Sequence, residues 1–334
     1  MDVAVVVNLK ARRGSQRVAR ECREKLPEAR VLVSGSLDEA LGFAKDLKAK
    51  PPRLLISAGG DGTAVGLLNA MRTPNDDRTG PALGLLPLGT GNGWAHVMGA
   101  PGWRTAVAQL GDLVERGGPL PLRRFDLVEV AGQVAHFAGT GWDAEIIDDF
   151  HAQKTGFGVL PKKARNGLMG YMQGLFTRTI PRHLTEPQVE VEVTNTGADA
   201  MTVDEKGQPV PLCGGEHGKV LFRGPISVCG AGTTAEWGFG FRAFPFAGLV
   251  ARRFCLRIYT GKAIEATLRM QQLWSGKHPM KKMHTWLLDK CKATFSRPVP
   301  FQVGGDRLGL REEIEYGLAP EQVDVLDWRA IGSA

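Results

Sequence analysis

Two glycine-rich segments carry the residue types that a polyphosphate site needs. In Ser57-Ala58-Gly59-Gly60-Asp61-Gly62-Thr63, three glycines open the backbone and Thr63 adds a hydroxyl that can hydrogen-bond a phosphate. Glycine suits such a turn because a side chain beyond Cβ would block backbone N–H groups from reaching anionic oxygens. Asp61 would repel phosphate unless it held Mg²⁺ or accepted a proton. The alternative is a plain strand-to-helix turn with Asp61 as its N-cap.

A second glycine turn, Pro87-Leu88-Gly89-Thr90-Gly91-Asn92, repeats the order of strand, glycines, polar residue and helix. Neither turn fits the Gly-x-Gly-x-x-Gly dinucleotide pattern or the Walker pattern, which disfavours a Rossmann dehydrogenase and a P-loop NTPase. Two such turns on neighbouring strands would line one cleft, so together they predict a nucleotide site. Its candidate residues are Gly59, Gly60, Asp61, Gly62, Thr63, Gly89, Thr90, Gly91 and Asn92.

A third candidate element is the basic loop that begins at Asn8. Lys10, Arg12 and Arg13 stand beside Gly14 and a helix-starting Ser15. These cations could neutralise phosphates from another side. The alternative is a basic loop that is simply solvated, as most such loops are.

The elements that must position these turns alternate short apolar strands with helix-length segments over the first 122 residues. This alternation predicts a parallel sheet covered by helices, with both glycine turns at carboxyl ends of strands, where open α/β sheets bind ligands. The predicted strands are Asp2–Val7, Arg30–Val33, Arg53–Ser57 and Leu83–Leu86, and the predicted helices are Gln16–Leu26, Leu37–Lys50 and Thr63–Met71.

Beyond Pro121 the sequence changes to alternating apolar and polar residues with frequent glycine, which predicts a β-rich second lobe. Its clearest strands are Phe125–Val130, Val134–Ala138, Val189–Val193 and Phe254–Tyr259. The stretch Asn195–Lys219, rich in Gly, Pro and small polar residues, predicts a hairpin or a flexible insertion.

The composition of the 334 residues, 43% hydrophobic and 23% charged, argues against disorder, collagen and coiled coil. No window approaches the roughly 18 to 20 apolar residues of a membrane-spanning helix, and the run Val3–Val7 is too short for a signal peptide. Five scattered cysteines lack metal or disulfide spacing, which favours reduced thiols. We therefore expect a cytoplasmic protein.

The net charge of +7 is concentrated in two segments that also hold large apolar residues. His151–Arg182 contains no acid, and basic residues far outnumber acids in Arg252–Arg297. Such interleaving suits an anionic membrane surface, and Leu273–Leu287 is a candidate contact. The alternative is that the apolar residues are core and the basic residues a solvated face. Binding to nucleic acid is disfavoured because no recognised nucleic-acid-binding motif accompanies the basic residues.

In their order along the chain these motifs resemble the diacylglycerol kinase catalytic family, which includes YegS-like and DgkB-like bacterial lipid kinases and the sphingosine and ceramide kinases. That family shows Asn-Pro, Gly-Gly-Asp-Gly-Thr and Pro-Leu-Gly-Thr-Gly-Asn in order, and here Asn8-Leu9 precedes the two turns. Phe125-Asp126 and Gly139-Thr140-Gly141-Trp142-Asp143-Ala144 look like its Phe-Asp and Gly-Phe-Asp-Ala segments. The likeness is highly specific only in the two glycine turns.

The resemblance implies a fold like that of NAD kinase and diacylglycerol kinase. Residues 1–122 form an ATP-binding α/β lobe to which residues 315–334 return, and residues 123–314 form a sandwich-like lobe for the lipid. It also implies that Ser34 and Asn8 contact the nucleotide, that Asp61 and Asp126 organise Mg²⁺, and that Asp306 accepts the proton of the lipid hydroxyl. Asp306 departs from the family's Asp-Gly-Glu because the stretch here is Gly304-Gly305-Asp306; by spacing alone it is a hairpin-turn residue.

The resulting interpretation is an ATP-dependent lipid kinase at the inner face of the membrane, with diacylglycerol as the default acceptor. Three alternatives stay open. The first is a sphingoid-base or ceramide kinase, and the second is NAD kinase, whose second turn is expected to differ from Pro87–Asn92. The third is a regulatory protein that binds nucleotide and lipid with little turnover. Whether the protein is a monomer or a homodimer also stays open.

Overall fold

The computed structural model describes residues 1–73, 80–155 and 168–332, and the chain divides into two compact units. Unit 1 contains Met1–Phe125 and the chain from Pro320 onward, and unit 2 contains Asp126–Ala319. Each unit has its own sheet. The predicted α/β lobe followed by a β-rich lobe is confirmed.

Unit 1 begins with the predicted alternation of strands and helices. Its elements up to the unit boundary are β1 (Val3–Asn8), α1 (Gln16–Lys25), β2 (Arg30–Ser34), α2 (Leu37–Ala49), β3 (Leu54–Gly59), α3 (Asp61–Met71), β4 (Ala82–Pro87), α4 (Gly93–Val97), α5 (Trp103–Arg116) and β5 (Leu122–Phe125). Strands β3 and β4 are buried along their whole length. Continuous apolar strands of this kind are typical of a parallel sheet that is covered on both faces.

Unit 2 is built mainly of antiparallel strands. Its elements are β6 (Val128–Val130), β7 (Gln133–Ala135), β8 (Phe137–Gly141), α6 (Trp142–Thr155), α7 (Leu168–Gly174), a π-helical turn (Leu175–Thr179), α8 (Ile180–Thr185), β9 (Val189–Asn195), β10 (Met201–Val203), β11 (Pro209–Pro211), β12 (Val220–Ile226), β13 (Val228–Gly232), β14 (Phe254–Tyr259), α9 (Ala263–Leu268), α10 (Met270–Ser275), β15 (Met283–Leu288), β16 (Lys290–Val303) and β17 (Asp306–Leu318). These strands form one 12-stranded sheet.

The chain then returns to unit 1 as β18 (Val323–Leu326) and α11 (Trp328–Gly332). The six-stranded sheet of unit 1 has the order β2-β1-β3-β4-β18-β5. Strands β1 to β4 pair in parallel, and β18 is parallel to β4 and antiparallel to β5. The carboxyl ends of β1, β3 and β4, which carry the three candidate motifs, therefore lie at one edge of this sheet.

Three strand and boundary predictions need correction. The predicted strand Phe125–Val130 divides, because β5 pairs with β18 in unit 1 while β6 pairs with β7 and β17 in unit 2. The predicted strand Val134–Ala138 bends at His136, because β7 pairs with β6 but β8 pairs with β13 and β16. The return to unit 1 starts at Pro320, not at residue 315, because β17 pairs with β16 as far as Gly317.

The predicted membrane segment Leu273–Leu287 has six large apolar side chains, of which three are buried and three are half-buried. Met280, Trp286 and Leu287 are 8%, 6% and 1% exposed, and β15 pairs with β14 inside the sheet. Lys162, Lys163 and Arg165 of the first basic segment lie outside the described residues. No helix of the described chain combines the length and the apolar character that crossing a bilayer requires.

Candidate active site

The first glycine turn joins β3 to α3 with almost no space for side chains. A Cβ on Gly59 would lie 2.5 Å from the Oγ1 atom of Thr63, so only glycine fits there without displacing the first turn of α3. Gly60 is the N-cap of α3 and has an extended backbone. The turn therefore presents the amino end of an 11-residue helix, where backbone N–H groups favour an anion.

The two glycine turns are packed against each other backbone to backbone. A Cβ on Gly89 would lie 2.4 Å from the Cα atom of Gly60. The N–H groups of Leu88 and Gly89 both donate to the carbonyl oxygen of Gly59, at 2.9 and 3.0 Å. The structure thus brings the predicted residues of both turns into one site at the carboxyl edge of the sheet.

Asp61 connects the first turn to the helix that follows the second. Its carboxylate oxygens accept hydrogen bonds from the backbone N–H groups of Gly93, at 2.9 Å, and Trp94, at 3.1 Å. Asp61 is the first residue of α3 and not its N-cap, so the predicted alternative was wrong about which helix it caps. The carboxylate instead satisfies the amino end of α4, 32 residues further along the chain.

The second turn is held in a left-handed conformation at Asn92, whose φ is 50°. The side-chain Nδ2 of Asn92 donates to the carbonyl oxygen of Gly89 at 3.0 Å, which closes the turn on itself. Asparagine tolerates this backbone region better than most residues because its short amide can bond locally. Thr90 and Gly91 lie between these two anchors and are half-buried.

The loop after β1 joins the same edge of the sheet. The Nδ2 of Asn8 donates to the Oγ1 of Thr63 at 2.9 Å, and the Oδ1 of Asn8 accepts from the backbone N–H of Lys10 at 2.8 Å. The backbone N–H of Arg13 donates to the carbonyl oxygen of Leu88 at 2.8 Å. The predicted third element is therefore bonded to both glycine turns.

Three cations of this loop face solvent. Lys10, Arg12 and Arg13 are exposed, and none of them forms an ion pair with any residue that the structure describes. Thr63 is buried, and its hydroxyl remains a potential donor after accepting from Asn8. The edge therefore combines solvated positive charge with backbone and hydroxyl donors.

Ser34, the residue matched to a nucleotide-contacting threonine, ends β2. Its side chain is 0% exposed, and its Oγ lies 3.5 Å from the carbonyl oxygen of Val7. Its carbonyl accepts the N–H of Leu9 at 2.9 Å, so Ser34 supports the start of the basic loop. The direct contact of Ser34 with a nucleotide stays a prediction.

Asp126 is the first residue of unit 2, and Arg252 contacts both of its carboxylate oxygens. One oxygen accepts from the backbone N–H of Arg252 at 3.0 Å, and the other from its guanidinium at 2.6 Å. Arg252 has a left-handed backbone with φ of 57°, which turns both groups toward the carboxylate. A guanidinium at this distance competes with any metal ion for the same oxygens.

Asp306 lies in the tight hairpin between β16 and β17. Val303 pairs with Asp306, and the two residues between them, Gly304 and Gly305, have φ of 58° and 93°. Two consecutive left-handed residues are the signature of a two-residue hairpin turn, as the spacing predicted. The Asp306 side chain is exposed at the end of this turn.

Residues 2–122 match the family model of the diacylglycerol kinase catalytic domain. The matched residues lie within unit 1. A diacylglycerol kinase of Bacillus subtilis (strain 168) is 35% identical to this chain over 124 residues. The alignment covers 36% of this chain and 38% of the Bacillus subtilis enzyme, so the chain matches less than half the length of that relative.

Solved structures share the fold of the whole chain at low identity. A diacylglycerol kinase from Bacillus anthracis str. Sterne has a TM-score of 0.64 and 14% identity, covering 99% of this chain and 98% of that one. An NAD kinase from Archaeoglobus fulgidus in complex with ATP has a TM-score of 0.50 and 12% identity, covering 100% and 96%. The predicted resemblance in fold to these two kinase classes is confirmed.

Proposed function

We propose that the protein is an ATP-dependent lipid kinase. The observation that carries the proposal is the joined pair of glycine turns at the carboxyl edge of the unit 1 sheet, within the residues that match the diacylglycerol kinase catalytic domain. Diacylglycerol is the proposed acceptor, because the matching family model and the Bacillus subtilis relative both carry that name.

The nucleotide phosphates would lie on the two glycine turns. Gly60 and Gly89 leave no side chain between a phosphate and the backbone, and the amino end of α3 favours negative charge. Thr63 would donate its hydroxyl, and the exposed cations after β1 would neutralise the outer phosphates. Every element of this part of the proposal belongs to unit 1.

The carboxylate of Asp61 fits a role in Mg²⁺ binding. It lies where the two glycine turns meet and accepts one backbone N–H on each oxygen. Oxygen ligands and water are what Mg²⁺ prefers, and the ion would neutralise charge on the transferred phosphoryl group. Asp126 fits a metal ligand less well because Arg252 already neutralises its charge. We therefore assign the larger part of Mg²⁺ binding to Asp61.

The proposed reaction is in-line transfer of the γ-phosphoryl group to a lipid hydroxyl. Positioning and neutralisation of phosphate charge supply most of the catalysis in such transfers. Asp306 would accept the hydroxyl proton as the oxygen attacks. An exposed carboxylate in a short hairpin is chemically adequate for that step, although it is one methylene shorter than the family's glutamate.

One acceptor panel tests the function. The protein is incubated with labelled ATP and Mg²⁺ together with diacylglycerol, monoacylglycerol, sphingosine, ceramide or NAD, and the labelled product is identified. We expect transfer to diacylglycerol and no ATP consumption without lipid. Transfer to a sphingoid base, ceramide or NAD would replace the proposed acceptor. Nucleotide binding without transfer to any acceptor would favour the regulatory alternative.

We also propose that unit 2 contacts an anionic membrane through its short helices. Five large apolar side chains on α7, α8, α9 and the π-helical turn are half or more exposed, and α8 packs against α9. They are Met169, Phe176, Leu184, Ile264 and Leu268, and we refer to them as the apolar patch. Arg178 and Lys262 are exposed beside them. Apolar side chains with flanking cations suit a surface of acidic headgroups.

A vesicle assay tests this contact. Leu268 is 83% exposed, so Leu268→Ser should weaken binding to vesicles that contain acidic lipid without destabilising the fold. Val220→Ser on β12, where the side chain is 45% exposed, is the matched control and should bind normally. Wild-type binding should fall with salt. Binding that is indifferent to salt, to lipid charge and to Leu268→Ser would refute the contact.

A further inference from the structure

A buried polar pair lies beneath the hairpin that carries Asp306. Gln302 is 1% exposed and Asp143 is 8% exposed. The Nε2 of Gln302 donates to the Oδ2 of Asp143 at 2.8 Å, and the Oε1 of Gln302 accepts the backbone N–H of Gly305 at 2.9 Å. Two consecutive hydrogen bonds therefore link Asp143 to the residue that precedes Asp306.

The chemistry of the two ends decides the direction of these bonds. The N–H of Gly305 can only donate, so it requires the oxygen of the Gln302 amide. The amide nitrogen then points to Asp143, whose ionised carboxylate can only accept. No other orientation of Gln302 satisfies both neighbours.

The turn needs this support because glycines restrain it weakly. Gly304 and Gly305 both have left-handed backbones, and glycine loses more conformational freedom on ordering than any other residue. The N–H of Gly304 donates to the carbonyl oxygen of Phe137 on β8 at 2.9 Å. Together with the bond from Gly305 to Gln302, both glycine amides of the turn are thus tied to the body of unit 2.

The buried position of the Asp143 carboxylate is energetically unfavourable. Its carboxylate lies against Gly139, where a Cβ would be 2.3 Å from Oδ2. Burying a carboxyl group without a cationic partner is unfavourable, and burial raises the pKa of Asp143 to about 6. The thiol of Cys229 and the phenol of Tyr316 lie in the same buried cluster. Burial of Asp143 lowers the stability of the fold, and its hydrogen bond to Gln302 connects it to the turn that carries the exposed Asp306. Such an arrangement is consistent with a functional role.

We propose that Asp143 and Gln302 are positioning residues, which fix the Gly304–Gly305 turn and so hold the Asp306 carboxylate where it can take the proton of the acceptor hydroxyl. This inference rests on the proposed kinase function. Small displacements are costly in such a step, since about 1 Å of misplacement can reduce turnover on the order of a hundredfold.

Reversing the direction of the hydrogen bond tests the proposal. Gln302→Glu places a second carboxylate against Asp143, and the two groups then repel unless they share a proton. Adding Asp143→Asn restores the hydrogen bond in the opposite direction, because the asparagine amide donates and the new glutamate carboxylate accepts. The glutamate can still accept the backbone N–H of Gly305. Gln302→Met, which keeps the volume and removes both bonds, is a second single variant for use if Gln302→Glu does not fold.

Three readouts follow the turn and the reaction separately. In Gln302→Glu we expect kcat to fall about tenfold to a hundredfold with the KM for ATP unchanged. The loss should diminish as the pH falls and the two carboxylates come to share a proton. Amide hydrogen exchange at residues 303–307 should accelerate in Gln302→Glu and return to the wild-type rate in the double variant, together with kcat.

The outcomes separate this inference from the proposed function. If the wild-type protein phosphorylates no acceptor, the kinase proposal fails, and hydrogen exchange alone still decides whether Gln302 and Asp143 hold the turn. If Asp306→Asn removes turnover but Gln302→Glu and Gln302→Met keep wild-type exchange and kcat, the positioning role is overturned. A double variant that exchanges as fast as the single variant would also overturn it.

Discussion

The double role of Asp61 leads to the most informative mutation. Its carboxylate caps α4 through two backbone N–H groups, and we propose that it also helps bind Mg²⁺. Asp61→Asn keeps the size of the side chain and one acceptor oxygen but removes the charge. Losing one of two capping bonds should reduce the free energy of unfolding by about 1 kcal/mol.

A loss of that size leaves nearly all of the protein folded, because native proteins typically have a reserve of about 5 to 15 kcal/mol. Instability therefore cannot by itself reduce turnover noticeably. Displacement of the second turn could cost on the order of a hundredfold. If Asp61 also helps bind the metal, we expect phosphoryl transfer to fall about a thousandfold or more, because the charge that neutralises the transferred group is misplaced as well.

Nucleotide titrations with and without Mg²⁺ separate the two roles. Removing a negative charge beside phosphates should leave the affinity for free ATP unchanged or higher, while the affinity for MgATP falls about tenfold or more, or about 1.4 kcal/mol. Asp38→Asn, in the first turn of α2, is the matched control and should change stability by only a few tenths of a kcal/mol. Equal weakening of both nucleotide forms, or wild-type turnover, would refute the metal role, and wild-type stability would refute the capping role.

Three further outcomes follow from the structure. Gly89→Ala should lower nucleotide affinity and reduce the free energy of unfolding by about 1 to 3 kcal/mol, because its Cβ would meet the backbone of Gly60 at 2.4 Å. The control is Gly42→Ala, at an exposed helix position with nothing within 4 Å, which should stabilise the protein slightly. Urea unfolding that ranks the two variants in the opposite order would contradict the packing of the two turns. Burial raises the pKa of Asp143 from 3.8 to about 6, so its contribution to stability is greatest at low pH and is lost as the pH rises through 6. The free energy of unfolding of Asp143→Asn should therefore rise by about 3 kcal/mol relative to the wild type between pH 3 and pH 8. A difference that does not vary with pH would show that Asp143 is not held in this environment. Cys213 is the one exposed thiol of five, so iodoacetamide at pH 8 should label it alone in the native protein, and labelling of a second cysteine would contradict the burial.

The sequence was sufficient to predict the strands and helices around the two glycine turns because their signals are local. A buried apolar strand, a glycine turn and a helix follow one another within about 20 residues around Asp61, and the same order recurs around Gly89. Parallel pairing then brings the carboxyl ends of β3 and β4 to one edge without further information. The boundary of the lobe was harder to predict, because β5 belongs with β18, about 200 residues further along the chain.

Only the tertiary structure decided how the site residues are held, because their partners are distant in sequence. Asn8 bonds Thr63 across 55 residues, and Gln302 bonds Asp143 across 159. Neither the periodicity nor the composition of the sequence reveals a hydrogen bond between distant residues, because the bond forms only once the sheets have formed. The sequence therefore predicted the two glycine turns and the resemblance of the first lobe to a known family. The capping of α4 by Asp61 and the support of the Asp306 turn depend on three-dimensional contact.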